Sequence, residues 1–271
     1  MCASHISGAS RTGRLKSFCA AAALASGMLC ANAQDHAREA QLADALLAAP
    51  LFGEVQRLEQ ANGHRFLALY LRASAERGTV VIVHGRGWSP DYDLYGELRL
   101  LLADAGYSTL SIQMPVLPGT AKIGDYLPTF DDGDERLTLA IGWLRGRGAA
   151  KVAIVSHSLG ATMANHYLTH TPRAPADAWV FVSIINGLED MFRIKIPVLD
   201  VFGTRDWDVT RFGADERKAQ IDANPASRQV IIAGGQHFFE GKREELARVI
   251  ADFLDNALGS SASAAQAPVR R

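Results

Sequence analysis

The sequence predicts an α/β fold in which a mostly parallel central sheet is covered by helices on both faces. Six short, β-branched apolar runs recur along the chain: TVVIVHG, STLSIQ, KVAIVS, AWVFVSI, PVLDVFG and RQVIIAG. Helical patterns lie between most of these runs, among them DLYGELRLLLADAG, DERLTLAIGWLRG and GATMANHYLTH. Strands that are apolar on both faces and alternate with helices are typical of a parallel sheet that is covered on both sides.

The residues before the first run predict a helix followed by a hairpin. The stretch DHAREAQLADALLAA has helical spacing and is followed by Pro50. LFGEVQRLE and HRFLALYLRA have strand character, and Asn62-Gly63 between them favours a hairpin turn at a sheet edge. Since no composition shift marks a second domain, residues 34–258 are expected to form one domain. The small, polar residues 259–271 are expected to be a disordered tail.

The N-terminus predicts a cleaved signal peptide over residues 1–33. Arg11, Arg14 and Lys16 precede the apolar stretch FCAAAALASGMLCA, and Ala31-Asn32-Ala33 offers small residues at a cleavage site. The apolar stretch is shorter than the about 20 residues that span a bilayer, so no stable membrane anchor is expected. The predicted location is periplasmic or secreted. The cysteines all lie within this segment, so the mature chain would have no disulfide and no cysteine ligand for a metal.

Composition and charge argue against two classes of partner. The chain has 271 residues, of which 48% are hydrophobic and 21% charged, as in an ordinary globular protein. A net charge of -1 gives no broad field that would attract nucleic acid or anionic lipid. We therefore expect a small-molecule partner, and the sequence leaves the oligomeric state open.

The ends of four predicted strands carry residues suited to chemistry. In an open parallel sheet, ligands bind beyond the carboxyl ends of the strands, where side chains from several loops meet. In chain order these ends supply a glycine-rich turn at 84–87, the serine of SHSLG at 156–160, an aspartate at 206 and a histidine at 237. The four ends are therefore expected to form one site.

Ser158, Asp206 and His237 follow the chain order of the catalytic triad in α/β-hydrolases, and the chain resembles that superfamily from about Thr79 to Leu258. The His-Gly turn at 84–85 and the Gly-x-x-Asp-x-x-Val pattern at 203–209 are similar to motifs of the dienelactone-hydrolase-like and esterase branches. The stretch STLSIQMPVLP is similar to a group of exported bacterial hydrolase-like proteins of unknown function. The resemblance implies an α/β-hydrolase fold and an acyl-enzyme mechanism without metal or cofactor.

The resemblance also implies a role for each site residue. Ser158 would be the nucleophile, His237 its base, and Asp206 the acid that orients the imidazole, with Asp208 as the alternative acid. The backbone N–H groups of Arg86 and Leu159 would form the oxyanion hole.

The first position of the expected Gly-x-Ser-x-Gly pentapeptide is filled by Ser156. The tight turn at a nucleophilic serine requires small residues two positions before and after it, and serine is small enough to meet this requirement. An alternative interpretation makes Ser158 a plain helix N-cap. That interpretation leaves Asp206 and His237 unexplained, so the nucleophile is favoured.

A substrate pocket is expected between the long connection Gln113–Gly133 and side chains near the strand ends. Long ordered loops are often binding loops. The predicted substrate-binding residues are Trp88, Met114, Tyr126 and Trp207. Only about a dozen residues separate AWVFVSI from PVLDVFG, which predicts a minimal cap and an open pocket for small or varied esters.

Several other residues have less specific interpretations. His84 is expected to order its turn through hydrogen bonds, and Asp200, within an apolar strand, requires a structural partner. His166 and His170 are spaced as two metal ligands on a helix could be, but a solvated helix face is the favoured interpretation.

Two functional alternatives stay open at this stage. The chain could be a binding or scaffold protein that keeps a hydrolase fold without turnover. It could also be a peptidase or thioesterase that uses the same triad.

Overall fold

A computed structural model describes residues 34–171, 175–185 and 187–259, which belong to one compact unit. The predicted signal peptide, and all of the predicted tail except Gly259, lie outside these ranges. No helix of the described residues has the length and apolar character needed to cross a membrane.

The described strands form one mostly parallel sheet. Its strands are β1 (Glu54–Glu59), β2 (Arg65–Leu71), β3 (Gly78–Val83), β4 (Tyr107–Ile112), β5 (Val152–His157), β6 (Ala178–Val182), β7 (Val198–Gly203) and β8 (Arg228–Ile232). Their spatial order is β1-β2-β4-β3-β5-β6-β7-β8. The pairs β1–β2 and β2–β4 are antiparallel and the others are parallel. The predicted hairpin therefore lies at one edge of the sheet.

Helices cover both faces of this sheet. They are α1 (His36–Leu47), α2 (Leu94–Asp104), α3 (Phe130–Gly146), α4 (Leu159–His170), α5 (Asp208–Phe212), α6 (Ala214–Ile221) and α7 (Arg243–Ala257). Successive strand residues point to opposite faces, so Val81 and Val83 join the core under α3 and α4. Val80 and Ile82 join the core under α2 and α7. The two-sided apolar runs in the sequence reflect this arrangement.

The connection predicted over Gln113–Gly133 contains more regular secondary structure than expected. A 3₁₀ helix spans Ile123–Thr129, and α3 begins at Phe130, which leaves only 113–122 irregular. Asp131 and Asp132 lie in the first turn of α3, where the helix dipole favours negative charge. Pro128 lies inside the 3₁₀ helix. Because proline is typical of loops, its presence favoured a loop when only the sequence was considered.

Asp200, in the middle of β7, has the structural partner that its position requires. Its Oδ2 accepts hydrogen bonds from Arg217 Nε at 2.9 Å and from Gln229 Nε2 at 2.8 Å. Burial raises the pKa of Asp200, and the positive charge of Arg217 opposes that shift only in part. The pair fixes α6 against β7 in the interior of the fold.

Candidate active site

Three strand ends bring Ser158, His237 and Asp206 together. Ser158 follows β5, Asp206 follows β7 and His237 follows β8, all at the carboxyl edge of the sheet. His237 Nε2 lies 3.0 Å from Ser158 Oγ, and His237 Nδ1 lies 2.7 Å from Asp206 Oδ1. All three residues are buried. The structure thus joins the three predicted triad residues in one continuous chain of hydrogen bonds.

The backbone at Ser158 has the strained geometry of a sharp strand-to-helix turn. Its φ is 56° and its ψ is -126°, a conformation that costs a non-glycine residue of order 1–3 kcal/mol. Within the described part of the chain, the Ser158 side chain makes no capping hydrogen bond to α4. The helix-cap interpretation of Ser158 therefore has no support in the geometry, whereas a serine directed toward an imidazole does.

The residues two before and two after Ser158 meet the requirement for small side chains at this turn. A Cβ atom on Gly160 would lie 2.3 Å from the His84 carbonyl oxygen, so only glycine fits there. Ser156 Oγ donates to the Val180 carbonyl at 3.2 Å and accepts from Trp179 Nε1 at 2.9 Å. The serine that replaces the usual glycine is thus accommodated with its polar atom fully hydrogen-bonded.

Asp206, rather than Asp208, is the carboxylate at the imidazole. Asp206 Oδ2 accepts a hydrogen bond from the Ser183 hydroxyl, and Oδ1 accepts from the Trp207 N–H at 2.7 Å as well as facing His237. Burial alone would raise the pKa of Asp206, but the hydrogen bonds from His237 and Ser183 outweigh it and lower the pKa. The Asp208 side chain is 70% exposed and pairs with Arg211 on its own helix.

His84 holds the peptide group that contains the Arg86 N–H. Burial lowers the pKa of His84 to about 4, so its ring is neutral near pH 7. Nε2 accepts the Met114 N–H at 2.9 Å, which leaves Nδ1–H to donate to the Gly85 carbonyl at 2.7 Å. That carbonyl and the Arg86 N–H belong to one planar peptide group, so His84 fixes the direction of both. The expected ordering role of His84 therefore has a geometric basis.

The second predicted oxyanion donor, Leu159, is the first residue of α4. The first N–H groups of a helix have no acceptor within the helix, and the positive end of the helix dipole lies there as well. This donor follows Ser158 directly in the chain. A Cβ atom on Gly85 would lie 3.1 Å from Ser158 Cβ, so the turn that carries Arg86 packs directly against Ser158.

A second chain of hydrogen bonds joins the turn after β3, the end of β5 and the loop after β8. His157 Nε2 lies 2.8 Å from the His237 carbonyl oxygen, and its Nδ1 lies 2.8 Å from the Tyr95 hydroxyl, which accepts the Gly85 N–H at 2.8 Å. Burial, and to a lesser extent the nearby His237, lowers the pKa of His157 to about 3. A neutral ring satisfies all three bonds when Tyr95 donates to Nδ1 and Nε2–H donates to His237.

Neither Tyr95 nor His157 was predicted as a site residue, and the same holds for Ser183. His157 stands beside Ser158 in SHSLG, and Ser183 ends the run AWVFVS, so both had a positional signal at a strand end. Tyr95 lies near the start of α2, more than sixty residues from Ser158, and no spacing rule connects the two.

The four predicted substrate-binding residues have different surroundings. Trp207 is 51% exposed and stacks on the His237 ring at a centroid distance of 3.5 Å. Trp88 is partly buried, stacks on Tyr92 at 3.9 Å and meets Phe238 edge-on. Met114 is 1% exposed and belongs to the apolar core, so its side chain is not available to a substrate as the sequence had suggested.

Tyr126, the fourth predicted residue, borders a small cavity beside residues 84–88, the turn that carries the predicted oxyanion donor Arg86 and is called the oxyanion loop below. Its hydroxyl accepts the Leu117 N–H at 3.2 Å, although the side chain as a whole is almost fully buried. The cavity has a volume of about 170 Å³. A larger cavity of about 610 Å³ lies between the 3₁₀ helix Met191–Arg193 and α6, and no triad residue lines it.

Among the described residues outside the triad, two groups of side chains have donor atoms close enough for a shared metal ion. They are His36, Glu39 and His64, and Asp131, Asp134 and His166. In the first group the Glu39 carboxylate is already bound by both terminal nitrogens of Arg136, at 3.0 and 3.1 Å. In the second group, His166 Nδ1 lies 3.0 Å from Asp134 Oδ2. His170 stacks on His166. Neither group includes a triad residue.

A family described as a protein of unknown function (DUF3530) matches residues 18–127, a region that ends before the predicted nucleophile. No curated protein matches the sequence of this chain.

Solved structures of hydrolases match most of the chain. Dienelactone hydrolase from Anabaena variabilis is 20% identical, with 75% of this chain and 97% of that chain covered and a TM-score of 0.60. XC6422 from Xanthomonas campestris, described as a serine hydrolase without lid, is 17% identical, with 76% and 96% covered and a TM-score of 0.60. Esterase Pf2001 from Pyrococcus furiosus is 16% identical, with 76% and 93% covered and a TM-score of 0.60. The chain therefore has the α/β-hydrolase fold.

Proposed function

We propose that the protein is an exported serine hydrolase that cleaves a carboxylic ester or a related acyl compound. The observation that carries this proposal is the continuous hydrogen-bonded chain from Ser158 through His237 to Asp206, at distances of 3.0 and 2.7 Å. The strained backbone at Ser158 adds support, because such strain persists in folded proteins mainly where function requires it. The hydrolase structures with the same fold support the reaction class but not a particular substrate.

In the proposed reaction, His237 Nε2 takes the proton from Ser158 Oγ as the oxygen attacks the carbonyl carbon. A serine hydroxyl is a weak nucleophile at neutral pH and needs such a base. The imidazolium then donates its proton to the leaving alcohol, and an acyl-enzyme forms. Water, activated by the same imidazole, attacks the acyl carbon and regenerates Ser158. Asp206 holds His237 in the required tautomer and stabilises its charged form.

The N–H groups of Arg86 and Leu159 would stabilise the oxyanion of the tetrahedral intermediate. Preorganised donors of this kind act without reorganisation during the reaction, and the loss of one typically lowers kcat about 10²- to 10³-fold. His84 contributes by fixing the peptide group that ends in the Arg86 N–H. The N-terminus of α4 adds a favourable dipole at the same point.

The site is proposed to be open to solvent and to accept small or varied esters. Among the described residues between β6 and β7, the only helical segment is the three-residue 3₁₀ helix Met191–Arg193, which is too short to form a helical cap. XC6422, a match of similar coverage, is described as lacking a lid. The half-exposed Trp207 beside His237 would offer an apolar contact at the mouth of such a site. The predicted signal peptide supports a periplasmic or secreted location.

The test is covalent labelling of the purified mature protein with a fluorophosphonate probe, which reacts with a serine that an assembled base and oxyanion hole activate. We expect the wild-type protein to be labelled and Ser158→Ala to be unlabelled. Ser156→Ala is the matched control, because it removes the neighbouring buried hydroxyl and leaves the triad in place. Absence of labelling in a folded wild-type protein would reject the proposed enzymatic function and favour a non-catalytic scaffold.

A panel of substrates separates the remaining possibilities within serine hydrolases. Oxygen esters should be turned over faster than matched thioesters and peptide amides. Faster cleavage of peptide amides would reject the ester assignment, and activity confined to long-chain esters would reject the open pocket.

A further inference from the structure

The small cavity beside the oxyanion loop is bordered by two arginine side chains. Its volume is about 170 Å³, and its lining includes Arg38 from α1, Arg86, Gly87 and Trp88 from the turn after β3, and Pro118 and Tyr126 from the connection after β4. The space is open to solvent on one side and has room for a small polar group. A carboxylate on a chain of two or three carbon atoms would therefore fit.

Within the described part of the chain, the two guanidinium groups of this cavity have no acidic partner. Arg38 donates to the carbonyl oxygens of Leu117 and Gly87 at 2.7 and 3.1 Å, and Arg86 donates to that of Ala121 at 2.9 Å. None of the ion pairs between described residues includes either arginine. By contrast, the three most deeply buried arginines, Arg99, Arg136 and Arg217, each pair with a carboxylate. Arg38 is partly buried and Arg86 is exposed. Carbonyl groups fix the position of a guanidinium without adding a negative charge, so both cations remain available to an anion.

The backbone at Gly87 keeps the Arg38 guanidinium accessible from the cavity. A Cβ atom at this position would lie 3.2 and 3.4 Å from the two terminal nitrogens of Arg38. Gly87 also has a φ of 73°, which disfavours any residue with a side chain. A glycine here therefore leaves space directly over the positive charge.

The cavity and the proposed oxyanion hole have one residue in common, Arg86. The Arg86 N–H is the proposed oxyanion donor, and the Arg86 side chain borders the cavity. A group bound in the cavity would thus contact the same turn that carries the proposed oxyanion donor.

We propose that this cavity binds an anionic group of the substrate, so that the preferred substrate is an ester with a carboxylate at the end of a short chain. This inference rests on the proposed function. Arg38 and Arg86 would provide charge-assisted hydrogen bonds, which guanidinium groups form well with planar carboxylates. The fixed position of Arg38, held by two carbonyl groups, would reduce the entropy lost when the anion binds.

The kinetic test compares two substrates that differ in one charge: the mono-para-nitrophenyl ester of succinic acid and the para-nitrophenyl ester of succinamic acid, its neutral isostere. At neutral pH and low salt, wild-type kcat/KM should be at least about tenfold higher for the anionic ester. Rates are corrected for the spontaneous hydrolysis of each ester. The preference should decrease as ionic strength rises.

Arg38→Gln and Arg86→Gln should each reduce the ratio of the two kcat/KM values toward one. The ratio within each variant cancels any general loss of activity that follows from disturbing the oxyanion loop. Arg193→Gln is the control, because it removes an equal charge from an exposed site that pairs with Asp190. Equal wild-type rates for the two esters would overturn the proposal, and so would a preference that both cavity variants retain.

A binding measurement keeps the subsite distinguishable from the reaction itself. Calorimetric titration of free succinate into Ser158→Ala should show binding that Arg38→Gln in the same background weakens at least about tenfold. If the wild-type protein lacks turnover and labelling but binds succinate in this way, the hydrolase proposal fails while the anion site stands. If turnover is present and succinate does not bind to Ser158→Ala, the anion site fails alone.

Discussion

Two buried aspartates near one strand, Asp200 within β7 and Asp206 just after it, have opposite electrostatic surroundings. Asp200 faces a permanent cation, Arg217, yet its deep burial raises its pKa, and its Oδ1 has no hydrogen-bond partner among the described residues. Asp206 faces an imidazole, accepts hydrogen bonds at both oxygens, and its pKa is lowered. The presence of a positive partner does not by itself set the direction of the shift, because complete hydrogen bonding of the ionised form can matter more.

This difference separates a structural carboxylate from one suited to catalysis. A buried ion pair such as Asp200–Arg217 places two charges in the interior, where the desolvation penalty offsets much of their attraction. A fully hydrogen-bonded carboxylate such as Asp206 stays ionised, and it can stabilise the positive charge that develops on His237 during a reaction. Substitution of each residue should therefore alter a different property of the protein.

The largest effect is expected for Asp206→Asn. The amide would favour the wrong tautomer of His237, and kcat should fall by roughly 10⁴-fold while the fold is retained. Asp208→Asn is the matched control two residues away, and its kcat should stay within about twofold of wild type. Steady-state kinetics with circular dichroism would measure both properties. A large loss in Asp208→Asn with none in Asp206→Asn would reverse the assignment of the acid.

A smaller loss, in stability instead of rate, is expected for Asp200→Asn. Removal of the carboxylate leaves Arg217 buried without its charge partner, which should lower the free energy of unfolding by about 3–5 kcal/mol. The kcat of the fraction that remains folded should match wild type, because Asp200 does not touch the triad. Urea denaturation with active-site titration would separate the two quantities. A strong decrease in kcat per labelled site would show that the comparison with Asp206 is too simple.

The smallest effect is expected for Tyr95→Phe, which removes the hydroxyl between Gly85 and His157. The oxyanion loop and the His237 loop would lose their shared support, and kcat should fall about 10- to 100-fold with little change in KM. Tyr107→Phe removes another buried hydroxyl, one that bonds Asp255 on the opposite side of the fold. That control should lose stability but not kcat. Equal kcat losses in both variants would indicate a general packing effect.

The sheet, and the grouping of Ser158, Asp206 and His237 at one of its edges, could be predicted from the sequence for the same physical reason. Buried strands require continuous apolar runs, and polar residues at the ends of such runs, as at Ser158 and His237, stand out clearly. The strand ends also approach one another in any parallel sheet, so the constellation could be inferred before any distance was known.

Features that depend on side-chain direction or on distant partners were beyond prediction. Asp206 and Asp208 differ by two residues in the same turn, and only the fold shows which one faces His237. Met114 lies two residues beyond β4, near the expected pocket, yet its side chain turns into the core. Tyr95 and Ser183 act through hydrogen bonds to residues that are remote in the chain.

The N-terminal helix α1 has a consequence for the order in which the chain can fold. Its Arg38 binds carbonyl groups at 87 and 117, and its Glu39 binds Arg136, nearly one hundred residues further along. Whether the chain folds during synthesis or after export, α1 can make all of these contacts only once the residues up to α3 are available. Docking of α1 is therefore a long-range event, and we expect the oxyanion loop to acquire the support of Arg38 only at that stage.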